Sequence, residues 1–174
     1  SKRIISWLSN TSLTYDDGGK QYQKDFNLII HKQTSHLINQ IDIEKRLNDK
    51  IRGTAAIILV GLSYKNDKLF TTKGLEYLKK IIRYNFDNNG FLKSRNIKSS
   101  IFFLKYLILI REWFKESQSE IPEFIDESIF NLGQSYAFFW ENLRFDPLFN
   151  GNNISNNQEF DIYLKRLGYS FKNN

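Results

Sequence analysis

Between residues 20 and 136, segments with a single apolar stripe alternate with segments that are apolar on nearly every side. The first striped segment, about Lys20 to Gln40, places Tyr22, Phe26, Ile29, Ile30, Leu37 and Ile38 on one helical face. The next, Ile51 to Leu62, reads IRGTAAIILVGL and has almost no polar side to turn to water. A second striped segment, about Thr72 to Phe86, carries Leu75, Leu78, Ile81 and Ile82, with Thr71 or Thr72 placed to cap its start. Ile97 to Phe114 is again apolar all round. The last long segment starts near Pro122, a residue suited to a first helical turn, and has Ile125, Ile129, Leu132 and Tyr136 as its stripe. A striped helix must cover one side, whereas a wholly apolar helix must be buried all round. Consecutive helices on short connections pack antiparallel. The expected fold is therefore all-α, with antiparallel α/α hairpins in two layers, the apolar helices inside and the striped ones outside. Such an array forms part of an (α/α) toroid, and a plain bundle satisfies the same periodicity.

The punctuation agrees with long helices. Only two prolines occur, Pro122 and Pro147, and the glycines gather mostly at breaks: Gly18-Gly19, Gly90, Gly151 and Gly168. Gly53 and Gly61 are exceptions inside the first apolar segment. Glycine costs helix propensity there, so a close approach of helices is the expected reason for them. A short helix is expected from Arg3 to about Ser9, and a turn at Asp16-Asp17-Gly18-Gly19. Asp87-Asn88-Asn89-Gly90 stops the second striped helix. Glu141 to Asn157 reads as a loop, Phe160 to Leu167 as a last short helix, and Gly168 to Phe171 as extended.

A chain of 174 residues fits one domain and buries roughly 70% of its unfolded surface without staples. There is no cysteine, which excludes disulfides and thiolate metal sites but leaves the compartment open between periplasm and cytoplasm. There is also no methionine, even at position 1, so the chain reads as a trimmed product or an excised piece. No apolar run reaches the ~20 residues of a membrane span, because Lys105 breaks the longest, Ile101 to Ile110. The net charge of +6 favours anionic partners. The basic residues are spread along the chain, however, and no block resembles a nucleic-acid arm. Nucleic acid is not the expected partner; binding of that kind would depend steeply on salt with any polynucleotide.

Familiar catalytic motifs are missing. His31 and His36, the two histidines, lie about 140° apart on a helix and cannot share a metal; both are expected on the helix surface. No nucleophile elbow, phosphate-binding glycine loop or zinc spacing occurs, and neither metal nor cofactor is expected. The adjacent acids Asp126-Glu127 and Asp16-Asp17 do not share a helical face. Helix-start electrostatics accounts for the first pair and a turn for the second.

Three strings are more specific. Arg3-Ile4-Ile5-Ser6-Trp7-Leu8 stands near the start. Asn89-Gly90-Phe91-Leu92-Lys93-Ser94-Arg95-Asn96 lies directly between two helical segments. Leu148-Phe149-Asn150-Gly151, followed later by Leu167-Gly168-Tyr169, stands near the end. In order and spacing they resemble the heparinase II/III-like polysaccharide lyase family over nearly the whole chain. That family shows an R-I-x-x-W-L start, a D-G-G-x-x-S-R-N-P turn before an apolar helix, an L-F-N-G loop, and a G-Y segment leading into a β-sandwich. The resemblance implies a single helical toroid domain over residues 1–174. Residues 158–174 would lead into a β-sandwich domain that follows.

It also implies a substrate, an acidic uronate-containing polysaccharide such as a glycosaminoglycan, cleaved by β-elimination in an intact bacterial protein. That reaction needs the uronate carboxylate neutralised, a base for the adjacent proton and an acid at the leaving oxygen. Counting back from Gly61-Leu62 places Asn48 on the asparagine of the family's Gly-Asn-His string, with Leu47 and Asp49 replacing its neighbours. Asn48 is thus the candidate for carboxylate neutralisation, with helix N-cap as its structural role otherwise. Arg52, Lys93 and Arg95 are the candidate substrate-binding residues, Arg95 otherwise being a water-exposed residue before a helix. The family's catalytic tyrosine falls at about Ser99, a poor base, and its second histidine belongs to the β-sandwich. The piece alone is expected to have little or no lyase activity. The competing expectation is a non-catalytic α-helical module that binds another protein.

Overall fold

The computed structural model describes residues 1–64, 68–87, 89–143 and 158–169, without the side chains of 139–143 and 158. Among these residues the fold is all-α. Eight helices follow one another: α1 (Lys2–Leu8), α2 (Thr11–Thr14), α3 (Lys20–Ile41), α4 (Leu47–Ser63), α5 (Lys68–Asn85), α6 (Ile97–Glu116), α7 (Glu123–Leu143) and α8 (Gln158–Arg166). The one β-type contact described is an isolated bridge between Phe86 and Leu92. None of the helices described is long and apolar enough to cross a membrane. The L-F-N-G string, most of the Asn-rich segment and the end of the G-Y segment lie outside the described residues.

Backbone contacts gather the chain into two compact units. The first takes Ser1–Tyr84 with Leu109–Ile121, and the second takes Asn85–Ile108 and the chain from Pro122 onward. In the first unit α4 is the central element. Every residue from Gly53 to Gly61 is buried, as an all-round apolar helix requires. On one side α4 meets α1 and α3. There Ile4, Phe26, Ile30, Ile41, Ala56, Ile57, Val60 and Phe70 make one cluster, with Trp7 and Tyr15 packed on it. Phe26 anchors this cluster, with Tyr15 edge-on at 5.3 Å and Trp7 tilted at 5.7 Å. Each large apolar side chain so buried contributes roughly 1.5–3 kcal/mol.

On its other side α4 meets α5 through a reciprocal pair of glycines. A Cβ at Gly61 would stand 2.3 Å from the Thr71 backbone nitrogen, and one at Gly74 would stand 2.5 Å from Ile58 Cγ1. Going up α4 from Ile58 to Gly61 runs down α5 from Gly74 to Thr71, so the two helices are antiparallel. The expected close approach at Gly61 is therefore real. Gly53 faces side chains of α3 rather than backbone, with Ile41 Cδ1 at 2.6 Å and Leu37 Cδ1 at 3.5 Å, both movable chain ends.

The second unit is built from the first part of α6 with α7 and α8. Phe86 meets Phe103 edge-on at 5.4 Å, and Leu104, Leu107, Ile108, Ile125, Ile129 and Leu132 are buried. Tyr136 packs edge-on against Phe160 at 5.3 Å, and its hydroxyl donates to Asp161 at 2.5 Å, which seats α8 on α7. The helix α7 starts at Glu123, directly after Pro122, with Glu123 and Asp126 in its positive first turn.

Some local expectations need correction. The helix α5 begins at Lys68, because Phe70 adds a buried residue ahead of the stripe. Thr71 and Thr72 therefore lie inside it rather than capping it, and the Thr72 hydroxyl donates back to the Lys68 carbonyl at 3.0 Å. On α3, Phe26 and Ile30 are buried, but Tyr22 and Ile29 are 51% and 44% exposed. The single turn α2 escaped the periodicity because four residues are too few to show a stripe.

Candidate functional site

Asn48 and Arg52 sit at the start of α4, in the first unit. The connection from α3 is tied by the Arg46 amide donating to Glu44 Oε1 at 2.9 Å. Arg46 is extended and takes the N-cap position without a side-chain cap bond, while Asp49 and Lys50 donate their amides to its carbonyl. Asn48 is thus the second residue of the helix, exposed, and not its cap. Asp49 lies in the positive first turn and holds the Arg52 guanidinium at 2.8 Å. That side chain is 17% exposed, so Arg52 is a largely covered, ion-paired group. Beside Asn48 an open hollow of about 470 Å³ is lined by Gln40, Ile43, Glu44, Lys45, Arg46 and Asp49. Lys45 and Arg46 were missed as candidates, although the Lys-Arg doublet before a helix start was a readable signal.

Lys93 and Arg95 belong to the second unit, in the turn between α5 and α6. Asp87 organises this turn. Its Oδ1 accepts the amides of Asn89 at 3.0 Å and Phe91 at 2.9 Å, and its Oδ2 takes the Arg95 guanidinium at 2.7 Å. Burial alone would raise the Asp87 carboxyl. The Phe91 and Asn89 amides and the Arg95 guanidinium outweigh that and hold it below its usual 3.8. The backbone closes the loop a second time, with Lys93 donating to the Asn85 carbonyl and Asp87 to that of Phe91. Gly90 takes φ +75°, and Arg95 itself sits at φ 54°, in the left-handed region that non-glycine residues rarely adopt. The guanidinium of Arg95 also lies over the Phe91 ring, 5.3 Å from its centroid. Asn96 then caps α6 by accepting the Ser99 amide at 2.9 Å. Lys93 is exposed on this turn. Arg95 is half-exposed, as expected, but carries an ion pair that spacing could not reveal.

Next to this turn lies a narrow crevice lined by Phe91, Leu92, Arg95, Ile97, Ser100, Ile101, Ser135 and Tyr136. It has room for about one water molecule and none for a sugar ring. Ser99, where the resemblance led a tyrosine to be expected, is half-buried in the first turn of α6 and brings no base.

The histidines differ from expectation in one respect. His36 is exposed, but His31 is half-buried against the rings of Tyr64 at 4.9 Å and Phe70 at 5.6 Å. Tyr64 donates to Asn27 Oδ1 at 2.7 Å, and the Asn27 amide donates to the Tyr15 hydroxyl at 3.2 Å. Burial, with Tyr15 adding to it, pushes Tyr64 up to about 12. It is a neutral phenol near pH 7 and no base. This network ties the end of α4 to α3 and escaped the sequence because its bonded partners lie up to 37 positions apart. Among the described residues, no three His, Cys, Asp or Glu side chains are grouped so as to hold a metal. The chain matches no family model, curated protein or solved structure with which it was compared.

Proposed function

We propose that this chain is the helical domain of a heparinase II/III-like protein and binds an acidic, uronate-containing polysaccharide. In this reading the helical hairpins belong to an (α/α) toroid, and the intact protein cleaves the polymer by elimination with help from a β-sandwich domain. The observation that carries the reading is the turn from Asn89 to Asn96. It stands directly before an apolar helix, and it brings exposed Lys93 next to Arg95. The start Arg3-Ile4-Ile5-Ser6-Trp7-Leu8 falls on α1, and the net charge of +6 favours a polyanion. Asn48, exposed at the start of α4, would offer its amide to a uronate carboxylate, with Arg52 behind it. Binding without elimination is what these residues support for the chain alone, because none of them is a ready base.

The full-length protein should be assayed against a panel of uronate polymers. Unsaturated product would be followed by ultraviolet absorbance, with Asn48→Ala alongside and binding measured for Lys93→Ala. The proposal expects product or salt-sensitive binding that both substitutions weaken. A second reading, a non-catalytic module that binds another protein, is favoured by Tyr22 and Ile29, which leave apolar surface on the outer side of α3. Neither product nor binding with any polymer would leave that reading ahead.

A further inference from the structure

The largest groove described within the first unit lies at the opposite end of α4 from Asn48 and Arg52. It has a volume of about 550 Å³, within the ~300–1,000 Å³ range of small-molecule sites. Three helices end on it. Leu8 and Ser9 come from the end of α1, Leu59, Leu62 and Ser63 from the end of α4, and Trp113, Glu116 and Ser117 from the end of α6. The last carbonyls of a helix lack intrahelical donors and carry roughly half a negative charge. Glu116 adds a full one and is the one ionisable side chain among the lining residues. Among the described residues it has no ion-pair partner, since nearby Lys115 and Arg111 both turn to Glu112.

The hydroxyls reinforce this polarity. Ser63 donates to the Leu59 carbonyl and keeps its oxygen lone pairs as acceptors, while Ser117 donates to the Phe114 carbonyl and shares its oxygen with the Ser119 hydroxyl at 3.0 Å. Leu8, Leu59, Leu62 and Leu109 supply apolar wall. A chain with net charge +6 therefore holds a groove of one sign, and that sign is negative.

We propose that this groove binds a small organic cation, a primary amine on a short aliphatic body. An ammonium has three donors and no acceptor, which fits one carboxylate flanked by hydroxyl oxygens and by the negative ends of three helices. The aliphatic part lies on the leucines. A divalent metal is a poorer match, because it draws several carboxylate or carbonyl oxygens into one tight shell and the groove offers a single carboxylate. The proposal is independent of the polysaccharide reading, since no residue is shared between the two sites.

The test uses the full chain and three probes of similar length: 1,4-diaminobutane, 1,4-butanediol and butyrate. Binding is read from the indole N–H resonance of Trp113, assigned by a Trp113→Phe variant. The diamine should shift that resonance saturably, and added sodium chloride should weaken it, whereas the diol and butyrate should not shift it. Glu116→Gln, an isosteric change at an exposed side chain, should weaken diamine binding about fivefold. The proposal is overturned if the diol titrates as well as the diamine, if Glu116→Gln leaves the diamine affinity unchanged, or if no probe gives a saturable shift. Circular dichroism of the Glu116→Gln protein separates loss of the site from loss of the fold.

Discussion

Replacing Gly61 by alanine sets two physical effects against each other, and the structure decides the winner. In an isolated helix the change would stabilise by about 1 kcal/mol, because alanine is the better helix former. Here the new methyl would stand 2.3 Å from both the nitrogen and the hydroxyl of Thr71, and 2.9 Å from its Cα. Two of those three atoms are backbone, so no rotamer change clears the space. The helices α4 and α5 must separate by about 1 Å, which forfeits a quarter to a half of each dispersion contact across the seam. Overpacking of that kind costs up to about 3 kcal/mol. The net expectation is a loss of about 2 kcal/mol, or a fall of about 6 °C in Tm. Gly74→Ala meets one side-chain atom, Ile58 Cγ1, at 2.5 Å and the Ile58 nitrogen only at 3.2 Å, so with no backbone atom inside 3.0 Å it should cost less, about 1 kcal/mol. Once one alanine has opened the seam, the second finds it open. The double variant should therefore fall short of the sum by about 1 kcal/mol. Urea denaturation followed by circular dichroism measures all four corners of this cycle. A Gly61→Ala protein as stable as the parent, or strictly additive losses, would refute the close-approach argument.

Other outcomes follow from single groups. The Thr54 hydroxyl is fully buried in α4 and has no hydrogen-bond partner among the described residues, so the near-isosteric Thr54→Val should raise stability by about 1 kcal/mol in the same denaturation assay; a loss would refute this. Asp87 is depressed, so its contribution is present above its unfolded value and lost as pH falls through the lower folded one. Carboxyl titration by NMR should find it below 3.8, and Asp87→Asn should speed hydrogen exchange at the Asn89 and Phe91 amides. Tyr64 is raised, so its contribution is complete below the ordinary tyrosine range and lost as pH climbs towards about 12. Tyr64→Phe should flatten that alkaline decline and cost about 1 kcal/mol near pH 7 through the lost bond to Asn27.

What the sequence disclosed and what it hid follow from the range of the interactions. Helix class, order and most boundaries were legible because burial imposes a period of 3.6 residues on Leu78, Ile81, Ile125 and Ile129. The role of Gly61 was legible in kind, since a glycine inside a helix needs a reason, but its partner Gly74 was not, since pairing depends on the register of two helices. Tyr22 and Ile29 satisfied the period and still face water, because a stripe shows which side is apolar but not how much of it a neighbour covers. The candidate residues were legible as types and positions. Their commitments were legible only in part: Arg52 to Asp49 has the spacing of one helical turn, whereas Arg95 to Asp87 needs the folded turn to bring it about. The groove at the ends of α1, α4 and α6 was hidden altogether, because no local signal shows three distant chain segments ending together.

The Asp87 turn has a consequence for any anion that approaches it. Its arginine is already engaged, so an incoming sulfate or uronate competes with a resident carboxylate rather than filling an empty seat. Winning Arg95 would leave Asp87 on two amides alone and loosen the strand of chain that leads into α6. Attraction and local order are thus set in opposition at this spot.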